Sequence, residues 1–222
     1  MVQRPGVPAT GSTPRPMNPG LAAKDGPQRE HIFTHYFLGG NMTVPAQFND
    51  RAKTKMVEEL LKNAAKLDIE PSGKDSGQII ISVKNTGAGH SIPTGRTDMR
   101  QMWLEAEVRD ASDKIILSTG IIQPDGSLPE QSILFNTIFG DGKGKAVENI
   151  SKARQILRDH RVPPQGILKE TLTLPKTASK PLSIKVRLLY RSLSQALADR
   201  LLGKGKVIVP VVVMAEMKKT IR

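Results

Sequence analysis

The pattern of apolar and polar positions changes character three times along the chain. Residues 1–28 are dense in proline and glycine and carry no periodic apolar signal. Such a segment cannot bury enough surface to offset its own ordering entropy, so it reads as a tail or linker. The next stretch, REHIFTHYFLGGN (29–41), crowds two histidines and three aromatic residues against a glycine pair, a composition that suits docking on a neighbour. From 45 to 67, Met56, Leu60 and Ala64 recur every four residues and Leu61 and Leu67 broaden the stripe, which predicts one amphipathic helix.

Beyond the turn EPSGKDSG the period becomes two. Alternation predicts strands over 78–85, 102–110, 114–120, 132–139, 167–175, 182–192 and 206–218. The second and third are separated by DASD, short enough for a hairpin. Strands in this number, spaced by loops, predict a mainly β fold, an immunoglobulin-like antiparallel β-sandwich. A helix is expected over 192–202, and ISKARQILRDH (150–160) is a second helical candidate. The domain division is 1–28 as tail, 29–70 as docking segment plus helix, and 71–222 as sandwich.

Composition removes several chemistries. There is no cysteine among the 222 residues, which excludes disulfides, thiolate metal sites, cysteine nucleophiles and covalent CxxCH haem attachment. The formal charge is +12, a field that attracts acidic proteins, anionic lipid or nucleic acid. Neither a basic helix nor basic residues interleaved with exposed aromatics is visible, so nucleic acid is disfavoured. The longest apolar run, VIVPVVVMA, falls far below the roughly 20 residues of a transmembrane helix. No signal-peptide pattern is visible at the N-terminus.

FGDGKGKAVE misses the phosphate-loop spacing, with Ala146 where a hydroxyl is required, and reads as a glycine-lysine loop. GHS is not a GxSxG nucleophile turn. His31 and His35 stand four apart and would share a helix face able to hold a metal, or be two partly buried surface histidines; no HExxH glutamate accompanies them. His90 lies between glycines that let backbone approach a large planar cofactor, and imidazole ligates iron; the plainer reading is a loop histidine bracing the Pro93-Thr94-Gly95 turn. Arg96, Asp98 and Arg100 read as an ion network across the same loop.

The stretch VKNTGAGHSIPTGRTDMRQMWLEAEVRD resembles the C-terminal, cysteine-free domain of a class of bacterial multihaem c-type cytochromes, whose pattern is close to VxNxGxGHxxPTGxxDxRxxWLEV. Val83, Asn85, Gly87, Gly89, His90, Pro93, Thr94, Gly95, Asp98, Arg100, Trp103, Leu104 and Glu105 match it. HYFLGGN (35–41), DHRVPPQG (159–166) and VRLLYR (186–191) fit the same family. The resemblance covers roughly residues 31–215 and implies an exported, periplasmic or cell-surface electron-transfer setting and a sandwich packed against haem. The family attaches its haems upstream through CxxCH, which this chain lacks. Haem would then be shared with a partner chain, with His90, His35 and His31, in that order, as candidate distal ligands.

The function expected on these grounds is a non-catalytic binding or assembly subunit. It would dock on acidic, haem-containing redox partners in a hetero-oligomeric electron-transfer complex or filament, as an accessory subunit more than an enzyme. The alternative is a redox subunit in which His90, with another histidine or with Met42 or Met99, ligates a haem. A stand-alone enzyme or carbohydrate-binding sandwich is the third reading, which the scarcity of aromatic residues disfavours.

Overall fold

The segment read as one helix is two helices followed by a strand. In the computed structural model, which describes residues 19–21, 24–30, 38–73, 77–147, 149–176 and 178–222, a short antiparallel pair, β1 (Gly20–Leu21) and β2 (Gln28–Arg29), lies within the region read as a tail and its border. Helix α1 (Thr43–Gln47) is followed by Asn49, whose φ of 54° turns the chain. Asp50 then caps α2 (Arg51–Lys62), accepting from the Lys53 amide at 3.0 Å. Val57 and Leu61 are the buried residues of α2, while Met56 and Leu60 are half-buried. Asn63 ends the helix, and β3 (Ala65–Pro71) begins at once. Ala65, Leu67 and Ile69 alternate inward with Lys66, Asp68 and Glu70, a period of two that the helical stripe ending at Ala64 had obscured.

Seven of the remaining strands build two sheets. β4 (Gln78–Asn85) is the centre of a three-stranded sheet, with β3 on one side and β10 (Ile167–Thr173) on the other, all antiparallel. The other sheet runs β12 (Val212–Ile221), β11 (Leu182–Arg191), β5 (Gln101–Arg109), β6 (Ile115–Thr119), with β7 (Leu134–Phe135) also paired to β5. DASD closes the β5–β6 hairpin, Asp110 Oδ1 accepting from the Ser112 and Lys114 amides at 2.9 and 3.1 Å.

Register explains the core. In the first sheet Leu67, Val83 and Leu168 lie side by side, as do Ile69 and Ile81, and Ile79 and Leu172. In the second, Leu104 pairs Leu188 and Ala106 pairs Val186. Because successive strand residues point to opposite faces, these rows form the two inner faces of an antiparallel β-sandwich, and they belong to one buried cluster. The outer face of β5 and β11 carries charge instead, with Glu105 and Arg187 paired across the strands. At one end of that face Trp103 is buried, donating from Nε1 to the Gly120 carbonyl at 2.9 Å.

Three expected elements are corrected. Residues 150–160 do not form a helix: Asn149 caps a single 3-10 turn, Ile150–Lys152, and the rest is strand β9 (Gln155–Asp159), paired with β8 (Thr137–Gly140), so cross-strand bonding wins over weak local helix preference. The strand over 132–139 is interrupted at Asn136, whose carbonyl accepts from the His160 amide at 2.9 Å. The last strand starts at Val212, after Pro210, which has no N–H for a ladder. Upstream of it the Gln195 side chain of helix α3 (Gln195–Leu202) serves the backbone, donating to Val207 O at 2.7 Å and accepting from Val209 N at 3.0 Å.

Leu104 is fully buried, whereas Ile208 is 81% exposed. Leu104→Ala should lower unfolding free energy by about 3 kcal/mol, and Ile208→Ala should change it by less than about 0.5 kcal/mol, both read from urea titrations.

Candidate functional site

Strand β4 ends in an asparagine that organises one end of the sandwich. Asn85 is buried among apolar neighbours, so each polar atom of its amide needs a partner. Oδ1 accepts from the Ala88 amide at 3.1 Å, and Nδ2 donates to the carbonyls of His90 at 2.8 Å and Val162 at 3.4 Å. Ile92 and Val162 exchange two backbone hydrogen bonds, each 2.9 Å. The segments GAGHSIPTG and DHRVPPQG, far apart in sequence, are thereby zipped together. Gly87 makes this possible, since a Cβ there would stand 1.7 Å from the Asn63 carbonyl oxygen at the end of α2.

The His90 ring is exposed, with Nδ1 3.1 Å from the Ser91 carbonyl oxygen. The bonds that hold the loop run through its backbone and Asn85, leaving the imidazole on the outside. His31 and His35 lie outside the described residues. Of the stretch around His35, Leu38 packs on the core, and beyond it Thr43 Oγ1 lies 2.6 Å from Ser192 Oγ, just past β11. Among the described residues no group of three or more histidine, aspartate or glutamate side chains is placed to hold a metal.

The chain after Gly95, a residue held at φ 77°, forms one wall of a cleft of about 670 Å³. Its other walls are the β8–β9 flap and helix α3, whose first turn is capped by Ser194 Oγ accepting from Leu197 N at 3.1 Å. Arg96, Arg100 and Arg200 line it together with Ile138, Phe139 and Leu197. The expected ion network is only part of what is found. Arg96 grips Asp98 through Nε at 3.0 Å and Nη2 at 2.7 Å, but Arg100 donates instead to the Ser192 carbonyl at 2.6 Å. The Arg96 guanidinium holds the Asp98 carboxyl below the usual carboxylate range.

Two groups behind the cleft were not singled out from sequence. Arg191 is almost fully buried; Nε donates to Gln101 Oε1 at 2.6 Å and Nη1 to the Gly126 carbonyl at 2.8 Å, and the guanidinium carbon lies 5.6 Å from the Trp103 ring centre. Burial pushes its guanidinium below the ordinary value, and Nη2 has no hydrogen-bond partner among the described residues. Gln101, which Arg191 braces, lines the cleft. His160 fastens the flap to the sandwich: Nε2 is 2.8 Å from Glu170 Oε1, Nδ1 is 3.2 Å from the Leu134 carbonyl oxygen, and the ring stacks on Phe135 at 5.3 Å. The available signal was Glu170, an acidic residue in register with buried Ile81, which needs a partner.

Guanidinium groups beside aliphatic and aromatic surface match carboxylates carried on an apolar body. No histidine is among the lining residues, so they do not fit the two axial ligands of a His-ligated haem iron.

Asn85→Asp should unfold more readily than Asn85→Ala, because the aspartate buries a charge and still offers no donor to the His90 and Val162 carbonyls; urea midpoints check the order. Asp159, like Asp98, is held low, here chiefly by its hydrogen bond to Arg161. A carboxyl with a depressed folded pKa stabilises fully above its unfolded value, about 4, and loses that contribution as pH falls through the folded one. The loops at 96–98 and 159–161 should therefore exchange amide hydrogens faster below about pH 4, and this acid-dependent gain should shrink in Asp98→Asn with Asp159→Asn.

No family model matches the chain, and no curated protein shows significant similarity to it. Among solved structures it is similar to a penta-heme cytochrome c552 from Thermochromatium tepidum, with a TM-score of 0.56 and 19% identity over 74% of this chain. The chain spans 41% of that protein's length. At that identity the likeness is one of fold: this antiparallel sandwich is also found within a larger cytochrome chain.

Proposed function

We propose that this chain is a non-catalytic binding and assembly module that docks on haem-containing redox partners in an exported bacterial electron-transfer complex or filament. The observation that carries the reading is the arginine-lined cleft, placed where the motif-bearing segments converge. Arg96, Arg100 and Arg200 line the cleft and Arg191 adds a buried positive charge behind them, an arrangement suited to an acidic partner surface. The +12 charge of the chain would steer such partners into encounter. The sandwich shared with part of a penta-heme cytochrome supports a redox setting. Among the described residues no helix is long and apolar enough to cross a membrane.

A second reading has one observation in its favour. The exposed ring of His90, on a loop fixed from behind by Asn85, could reach a partner's haem as a distal ligand.

Association with an acidic multihaem cytochrome should weaken by about tenfold or more when salt is raised from about 50 mM to about 500 mM, as expected for exposed charges under screening. Salt-independent affinity, measured by calorimetry or biolayer interferometry, would contradict electrostatic docking. In the same complex His90→Ala should leave the partner's haem absorption bands in place; a shift of the Soret maximum would favour the ligand reading.

A further inference from the structure

The chemistry of the cleft goes further than a generally basic face. Arg96, Arg100 and Arg200 line a cavity whose walls also include Asp98, Ile138, Phe139 and Leu197. Arg96 uses Nε and Nη2 on Asp98, which leaves its Nη1 edge outside that bidentate pair. Arg100 donates from Nη1 to a neutral carbonyl, that of Ser192. Behind them Arg191 fixes Gln101 in the lining and contributes positive potential from a dry environment, where charges are weakly screened. A diffuse basic patch would not combine planar donors with apolar walls in this way. A cavity of about 670 Å³ is of the size that holds small ligands.

We propose that this cleft is a receptor for paired carboxylates on an apolar body, and that in the assembled complex it seats the propionate edge of a haem carried by the partner. This rests on the docking reading. Arg100 and Arg96 are the recognising groups, and the apolar wall of Ile138, Phe139 and Leu197 packs against the ring edge. Iron takes no part in the contact, so recognition persists when the metal is absent.

The test uses the full chain and metal-free mesoporphyrin IX, which carries the two propionates and no metal, followed by its own fluorescence. The expected result is saturable binding, with the dimethyl ester binding at least about tenfold more weakly because charge-assisted bonds to the carboxylates are lost. Arg100→Gln should weaken mesoporphyrin binding by about tenfold. Arg96→Gln, at a more exposed side chain, should also weaken it and covers the case in which Arg100→Gln fails to fold. Lys66→Gln, exposed on β3 outside the cleft, should leave binding unchanged. Equal binding of the ester, or equal loss in Lys66→Gln and Arg100→Gln, would overturn the proposal. Association with an acidic cytochrome without mesoporphyrin binding would also overturn it while leaving the docking reading intact. Mesoporphyrin binding with the expected variants but no cytochrome association would support the carboxylate site and remove the docking reading.

Discussion

One buried amide, that of Asn85, sets the geometry of this end of the molecule. The carbonyls of His90 and Val162 belong to different loops, and the same Nδ2 group donates to both while Oδ1 holds Ala88. Around that clamp the Ile92–Val162 bridge aligns two chain segments that leave the sandwich in different directions. The first continues into Arg96 and Arg100, and the second comes from the β8–β9 flap through Asp159, His160 and Arg161. Two of the three walls of the cleft are therefore tied to the clamp, and helix α3 supplies the third. Thr137 adds a further tie, its amide donating to the Thr97 carbonyl at 3.4 Å.

Secondary structure was legible in the sequence wherever one period acted alone. Strands β4, β5, β10 and β11 alternate over most of their length because one face is core and the other is solvent or charge. The strand β3 was hidden because its apolar residues continue a helical stripe, and only the cap at Asn63 separates the two periods. The flap was misread for a different reason: every residue of β9 is exposed, so burial imposed no alternation on it and its partner strand alone defines it.

The site was legible only in part. The glycines and Asn85 mark a tight loop, and the Ile92–Val162 bridge brings together two of the stretches on which the resemblance rested. The cleft was not visible, because its guanidiniums come from the loop before β5 and from α3, a hundred residues apart, and arginine carries no periodic signal. Arg191 gave no signal and His160 only the indirect one of Glu170, since a polar residue that bonds to a distant strand resembles a surface residue until the strands are paired. Physically, the site is a product of topology: strand ends, a flap and a helix start meet at one rim, and each contributes a little of the donor set.

In the proposed docking role, a module of this kind would lend shape and charge to a redox assembly while the cofactors stay in the partner. That division is tested most directly by the absorption spectrum and haem content of the protein recovered from its native source with its partners attached, beside the spectrum of the isolated chain. Haem in the assembly and none in the isolated chain is the result expected. Haem retained by the isolated chain, or an assembly that contains none, would contradict it.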